Sequence, residues 1–215
     1  MKSVLLKNIR NSIRQVFSNI RLSKRPEKAL LWLWLKRDML FSRGMQVGID
    51  AACGMMTNRK YFHTRKYIGV DADKQRLDIG MAKHPESVAV HSKIEDIVDL
   101  RGDFLVCVQC ININKHFNTR NTLSIIQSFV NIINPGGYLI FNVGSVDGDL
   151  RKIEPNIDAI LKGHFEKIIK IKYGAFSHQT NKFVSLIIAY LMFYVPTLRT
   201  INGAKKSYYF CQGRK

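Results

Sequence analysis

The sequence predicts an α/β fold built on a mostly parallel sheet, and one stretch in the first third of the chain carries that prediction. Two short apolar runs, Val47–Ile49 and Tyr67–Val70, end at Asp50 and Asp71, and the small residues Ala51–Gly54 form a turn after the first run. A strand, a tight turn, a helix and a second strand make a βαβ unit with parallel strands. Because ligands of such sheets bind outside the carboxyl ends of the strands, the two aspartates mark the expected site.

The same stretch resembles the first two motifs of the class I S-adenosylmethionine-dependent methyltransferases. Asp50–Gly54, which reads DAACG, is similar to their glycine-rich first motif, and Gly69–Asp71 is similar to the acidic end of their second strand. Asn134–Phe141 resembles the turn and fifth strand of the same family. The resemblance covers about residues 47–143. It implies a Rossmann-like, three-layer αβα fold with seven strands, of which the last is antiparallel.

This chain departs from the family pattern at two glycine positions. Ala52 and Met56 stand where the family usually has its first and third glycines. Ala52 still leaves room for a close approach of the backbone to the ligand. Met56 is bulky, so we expect the loop to open differently there.

The resemblance also implies which residues hold S-adenosylmethionine. Asp50 and the backbone of the following turn would bind the methionine end, and Asp71 would accept both ribose hydroxyls; a helix N-cap is the alternative role for Asp71. Lys93 takes the place of the acidic residue that usually binds the adenine, so a backbone contact near Ile94 is expected. The implied cofactor-binding residues are Asp50, Ala52, Cys53, Gly54, Asp71, Ala72, Lys93, Ile94 and Gln109, and no metal site is predicted.

His116 is the candidate catalytic residue. Methyl transfer from a sulfonium is an in-line displacement, so the protein mainly positions the donor and the acceptor and excludes water. A hydroxyl acceptor also needs a base with a pKa near neutrality, which histidine supplies. His116 follows the fourth strand, where members of the family often carry Glu-His; a surface histidine is the alternative interpretation. His178 is the second candidate.

The rest of the chain continues the alternation of strands and helices. His84 and Pro85 end the first of these helices, and Asn118 or Thr119 caps the next one. The predicted elements are a helix at Lys74–Lys83, strands at Ser87–His91 and Asp103–Cys110, a helix from Asn118 or Thr119 to Ile133, a turn at Asn134–Gly137 that leads into the fifth strand, a helix at Leu150–Leu161, and strands at Glu166–Tyr173 and Lys205–Cys211.

Basic residues are concentrated at the start of the chain. The net charge is +18, and residues 1–44 contain eleven Lys and Arg against two acidic residues. Residues 3–22 have apolar positions spaced by three and four with basic residues between them, which predicts an amphipathic helix. This helix could cover the domain or lie on an anionic bilayer. We therefore divide the chain into a basic helical extension, residues 1–44, and a methyltransferase domain, residues 45–215.

Two largely apolar segments lie outside the resemblance. Glu27–Phe41 predicts a helix that is apolar on almost all sides, with Trp32 and Trp34 suited to a core or to the headgroup level of a membrane. Phe183–Leu198 has no charged residue. It is too short to span a bilayer. We interpret it as part of an apolar insert at about residues 175–204, with a membrane-facing surface favoured over a core helix or a wall of the substrate site.

The cysteines predict a reducing compartment. Cys107 and Cys110 form a C-x-x-C pair inside an apolar run, and on a strand they would point to opposite faces. No second pair completes a zinc site. We expect buried, reduced thiols in a cytoplasmic protein without a secretory signal.

These observations predict a methyltransferase at the inner face of a membrane. The cofactor is S-adenosylmethionine, and the acceptor is a hydroxyl of a glycan, a lipid-linked sugar or a lipid, by resemblance to small methyltransferases of cell-surface glycan assembly. Residues 1–22 and 183–198 would contact the anionic bilayer. Two alternatives stay open: an RNA methyltransferase that binds phosphates with its basic surface, and a non-catalytic domain that has lost the cofactor. RNA is the less favoured partner because no basic groove with interleaved aromatic residues is evident.

Overall fold

Seven strands form one sheet in the order β3-β2-β1-β4-β5-β7-β6. The computed structural model describes residues 22–97, 99–113, 119–145, 150–201 and 203–215. Strand β7 runs antiparallel to both of its neighbours, whereas the pairs from β3 to β5 are parallel. The strands are β1 Val47–Ala51, β2 Lys66–Asp71, β3 Val88–His91, β4 Gly102–Ile113, β5 Ile133–Ser145, β6 Phe165–Tyr173 and β7 Lys206–Arg214. The predicted seven-stranded sheet with an antiparallel last strand is confirmed.

Helices cover both faces of the sheet, as the three-layer prediction requires. The helices are α1 Pro26–Asp38, α2 Lys74–Lys83, α3 Thr119–Ile132, α4 Leu150–His164 and α5 Lys182–Tyr194. One apolar core contains buried residues of α1 and α5, and the other contains buried residues of α3 and α4. Short 3-10 turns extend α1 at Met39–Ser42 and α5 at Pro196–Arg199.

The connection between β1 and β2 is not the predicted α-helix. It consists of turns and a single 3-10 turn at Arg59–Tyr61. The backbone passes through the left-handed region at Ala52, Gly54 and Met56. A right-handed helix cannot include these conformations, so the chain turns repeatedly before it reaches β2.

Helix α1 is part of one of the two apolar cores. Trp34 is fully buried, with its ring centroid 5.2 Å from that of Tyr173 on β6 and 5.2 Å from that of Tyr208 on β7. Aromatic pairs at this distance stabilise a packed interface beyond the area they bury. The division of the chain at residue 44 stays a prediction. Residues 1–21, which contain nearly all of the predicted amphipathic helix, lie outside the described part of the chain.

Helix α5 buries one face and exposes another. Leu186, Ala189 and Met192 are buried against α1, whereas Ile187 is 44% exposed and Leu191 is 52% exposed. The apolar segment is therefore a core helix on one side and an apolar surface on the other. No helix within the described ranges is long and apolar enough to cross a bilayer.

Neighbouring residues on α5 give a test of this packing. We expect Leu186→Ser to lower the free energy of unfolding by about 2–4 kcal/mol, because it leaves a cavity lined by apolar groups. Ile187→Ser should change it by less than about 0.5 kcal/mol, because the side chain is half exposed. Urea denaturation followed by circular dichroism measures both values. Equal losses in the two variants would contradict the observed orientation of α5.

Candidate active site

A cavity of about 350 Å³ lies at the carboxyl ends of β1, β2 and β4. This is within the range of about 300–1,000 Å³ that is typical of ligand cavities. It is the place where an open α/β sheet binds its ligand. Its lining residues are Trp32, Ala52, Cys53, Met55, Thr57, Asn58, Asp71, Arg76, Val108, Gln109 and Cys110.

Asp71 connects the loop after β1 to the end of β2. The backbone N–H of Gly54 donates to one carboxylate oxygen of Asp71 at 2.7 Å, and the N–H of Asp73 donates to the other at 3.0 Å. The N-cap of α2 is Asp73, whose side chain accepts from the N–H of Arg76 at 3.1 Å. A carboxylate has about four acceptor sites, so Asp71 retains capacity for a ligand in the cavity.

Asp50 is fully buried and does not line the cavity. Its carboxylate accepts from the hydroxyl of Tyr67 at 2.7 Å and from the amide of Asn58 at 3.2 Å. Burial and the charge of Asp50 raise the pKa of Tyr67, so this hydroxyl stays protonated and donates. Asp50 thus fixes Asn58, whose side chain does reach the cavity wall. Direct contact of Asp50 with the methionine end of a cofactor stays a prediction.

The loop after β1 keeps a glycine-like backbone with only one glycine. Ala52, Gly54 and Met56 have φ values of 57°, 54° and 56°. The left-handed region costs a residue with a side chain about 1–2 kcal/mol. The Met56 side chain is buried against Gly69 and Gly80, away from the cavity. The bulky residue is therefore accommodated without blocking the cavity beside Asp71.

Replacing Ala52 by glycine tests the strain in this loop. We expect Ala52→Gly to raise the free energy of unfolding by roughly 1 kcal/mol, because glycine adopts a positive φ without the steric cost of a Cβ. The matched control is Ala51→Gly in β1, which should lower it by about 0.5–1 kcal/mol. Thermal and urea denaturation of the two variants measure the difference. A loss of stability in Ala52→Gly similar to that of the control would show that the loop is not strained.

The remaining predicted cofactor residues divide into two groups. Cys53 lines the cavity, and burial together with the charges of Asp50 and Asp71 raises the pKa of its thiol, so the thiol stays neutral. Ala72, Lys93 and Ile94 lie on the loops that follow β2 and β3 and do not line the cavity. Their contact with an adenine stays a prediction.

The C-x-x-C pair was interpreted wrongly. Cys107 and Cys110 form a disulfide, with their Cα atoms 6.7 Å apart. The pairing of β4 with β5 shifts register between Cys107 and Ile111, and Gln109 has a φ of 67°. This irregularity breaks the alternation of an ideal strand, so the two side chains meet instead of pointing to opposite faces.

A second, smaller pocket adjoins the cavity at Gln109. Its volume is about 150 Å³, and Gln109 lines both spaces. The backbone N–H of Gln109 donates to the side-chain oxygen of Asn142 at 2.7 Å, which fixes the boundary between them. The residues around this pocket are Arg25, Glu27, Lys28, Leu31, Gln109, Asn112, Asn142, Tyr173 and Lys206.

Sequence reasoning missed the residues that α1 and α2 bring to the site. Trp32 and Glu27 come from a helix that was assigned to an extension, and Arg76 comes from the first turn of α2. The available signal for Glu27 was an acidic residue within a segment that is otherwise strongly basic. His116 lies outside the described residues. His178 is exposed and lines neither space.

Comparison with solved structures shows the fold. The chain superposes on the N-methyltransferase NodS from Bradyrhizobium japonicum WM9 bound to S-adenosylhomocysteine, with a TM-score of 0.56 and 12% identity over 85% of this chain and 84% of that one. The plantazolicin methyltransferase BamL, also solved with S-adenosylhomocysteine, gives a TM-score of 0.53 and 12% identity over 97% of this chain and 91% of that one. An rRNA methylase from Streptococcus thermophilus gives a TM-score of 0.55 and 12% identity over 85% of this chain and 96% of that one.

Comparison of the sequence finds no relative. No protein-family model matches the chain. No curated protein matches it either. The chain has the Rossmann-like fold of the S-adenosylmethionine-dependent methyltransferases, in agreement with the resemblance in residues 47–143.

Proposed function

We propose that the chain is an S-adenosylmethionine-dependent methyltransferase whose cofactor binds in the cavity beside Asp71. The observation that carries the proposal is the position of this carboxylate, at the end of β2 and on the wall of a cavity of suitable volume. Its remaining acceptor sites suit a pair of ribose hydroxyls. The exposed guanidinium group of Arg76, which lies against Gly54, suits the carboxylate of the methionine end.

The residues of the cavity have a limited chemical task. The cofactor supplies an activated methyl group, so the protein binds it, orients it and excludes water. Trp32, which is 2% exposed, closes one side of the cavity. Asn58, held by Asp50, and the loop residues Ala52 and Cys53 also line it.

Calorimetry with S-adenosylhomocysteine tests this proposal. We expect binding by the wild type and a dissociation constant at least about 10-fold higher for Asp71→Asn, because hydrogen bonds to a charged group contribute about 1.5–3 kcal/mol. Asp78→Asn on α2, where Asp78 forms an exposed ion pair with Lys74 at 2.8 Å, is the matched control and should bind like the wild type. A folded wild type that binds neither S-adenosylhomocysteine nor S-adenosylmethionine would favour the non-catalytic alternative.

For the acceptor, we infer a hydroxyl of a lipid or a lipid-linked glycan at the surface of an anionic membrane. The support is an apolar strip on α5 formed by Phe183, Ile187, Leu191 and Tyr194, which are 55%, 44%, 52% and 73% exposed. Exposed apolar surfaces of this kind occur at membrane contacts.

Basic side chains border the apolar strip. A groove of about 370 Å³ between α1 and α5 is lined by Lys36 and Arg37 as well as by Tyr190, Phe193 and Tyr194. The Arg37 guanidinium lies 5.4 Å from the centre of the Phe193 ring. Lysine and arginine beside aromatic residues match the charge and polarity of an anionic bilayer surface, as does the net charge of +18.

Vesicle flotation tests the membrane proposal. We expect the wild type to float with phosphatidylcholine vesicles that contain phosphatidylglycerol, and to float less without it. Leu191→Ser/Tyr194→Ser should lose most of the binding, whereas the control Ile79→Ser, an exposed apolar residue on α2, should keep it. Equal recovery of all three proteins would refute the role of α5.

Two other outcomes identify a different occupant of this surface. If neither protein binds vesicles, and the wild type is a dimer whereas the double variant is a monomer, the strip is the contact with a second copy of the chain. Salt-sensitive binding to RNA that displaces vesicles would favour the RNA alternative, because phosphate contacts make binding depend steeply on salt.

A further inference from the structure

Glu27 lines the smaller pocket, and one oxygen of its carboxylate has no hydrogen-bond partner among the described residues. The residue is 2% exposed, in the first turn of α1. Its Oε1 accepts from Nζ of Lys206 at 2.5 Å. Its Oε2 is buried, and within the described part of the chain it has no hydrogen-bond partner.

Such an oxygen is unfavourable in a structure without ligand. A buried polar atom that lacks a partner costs about 1–3 kcal/mol, and more when the group is charged. The structure tolerates this cost at a point where Glu27 lines a pocket of about 150 Å³. An unpartnered acceptor on a residue that lines a pocket can take a donor from a ligand, such as a hydroxyl.

The neighbouring groups suit a hydroxyl-rich ligand. Nε2 of Gln109 is also buried and without a partner among the described residues. Asn112 and Asn142 add amide groups to the lining. Burial and the charge of Glu27 raise the pKa of Tyr173, so its hydroxyl stays protonated and can donate. A small pocket that contains both donors and acceptors suits the hydroxyls of a sugar ring.

The position of Gln109 relates this pocket to the cavity for the cofactor. Gln109 lines both spaces, so a sugar in the smaller pocket adjoins the nucleoside site across a single side chain. Methyl transfer requires donor and acceptor to approach to about 3–3.5 Å. The two spaces are therefore arranged as a donor site and an acceptor site.

We propose that Glu27 is the catalytic base for O-methylation of a sugar hydroxyl, an inference that rests on the function proposed above. The hydroxyl oxygen forms the new bond to the methyl carbon, and the bond from that carbon to sulfur breaks with its electron pair on sulfur. Oε2 of Glu27 takes the hydroxyl proton. Lys206 holds Oε1 and orients the carboxylate before the transfer.

The test uses S-adenosylmethionine with a tritiated methyl group and a panel of decyl glycosides of glucose, galactose, mannose, rhamnose and N-acetylglucosamine. We expect the wild type to label at least one glycoside. Glu27→Gln should lower kcat by about 100-fold or more, the usual contribution of a general base. Its binding of S-adenosylhomocysteine should change less than about threefold. The residual rate should rise with pH, because hydroxide then takes the proton.

Control variants separate proton transfer from a structural effect. Glu166→Gln, an exposed glutamate on β6, should keep the wild-type rate. The double variant Glu27→Gln/Lys206→Met removes both charges of the ion pair. If Glu27→Gln alone lowers the melting temperature, the double variant should restore it. Its kcat should stay low, because the base is still missing. Recovery of kcat in the double variant would show that Glu27 acts only by neutralising Lys206, and would overturn the proposal.

The failures of the two proposals can be told apart. A wild type that does not bind S-adenosylhomocysteine refutes the methyltransferase proposal itself. A wild type that binds it but labels no glycoside refutes the sugar acceptor. A Glu27→Gln variant with wild-type kcat refutes the base, whatever the acceptor.

Discussion

The hydrogen bond from the backbone of Gly54 to Asp71 is the constraint on which the candidate active site depends. At 2.7 Å it ties the loop after β1 to the carboxyl end of β2. The second oxygen of the same carboxylate accepts from Asp73, which caps α2. One side chain therefore fixes the loop, the strand end and the start of a helix. Asp71 also lines the cavity, so the same side chain ties these three elements together at its wall.

The loop reaches this geometry at a cost in backbone energy. Ala52 and Met56 adopt left-handed conformations that glycine adopts more readily, and each residue costs about 1–2 kcal/mol. Burial of Met56 against Gly69 and Gly80 offsets part of this cost. The loop thus keeps a glycine-like backbone at Ala52 and Met56, where the chain has no glycine. Strained backbone of this kind persists where the surrounding structure over-determines it.

Helix α1 completes both spaces of the site. Its Trp32 lines the larger cavity, and its Glu27, Lys28 and Leu31 line the smaller pocket. The helix is held by the packing of Trp34 against β6 and β7 and by the ion pair of Glu27 with Lys206. The same helix packs on the buried face of α5, so the proposed acceptor pocket and the apolar strip belong to one packed unit. This arrangement relates the proposed sugar site to the proposed membrane contact.

The sequence by itself determined the sheet and the position of the larger cavity. Apolar runs that end in acidic residues, and the turns between them, are local patterns that a strand and its connection impose on nearby residues. The structure alone decided which side chains meet. The disulfide of Cys107 and Cys110 needs an irregularity in β4 where it pairs with β5, and the pairing of Glu27 with Lys206 joins the first helix to the last strand. Both contacts depend on how whole elements pair and pack, and local periodicity carries no information about that.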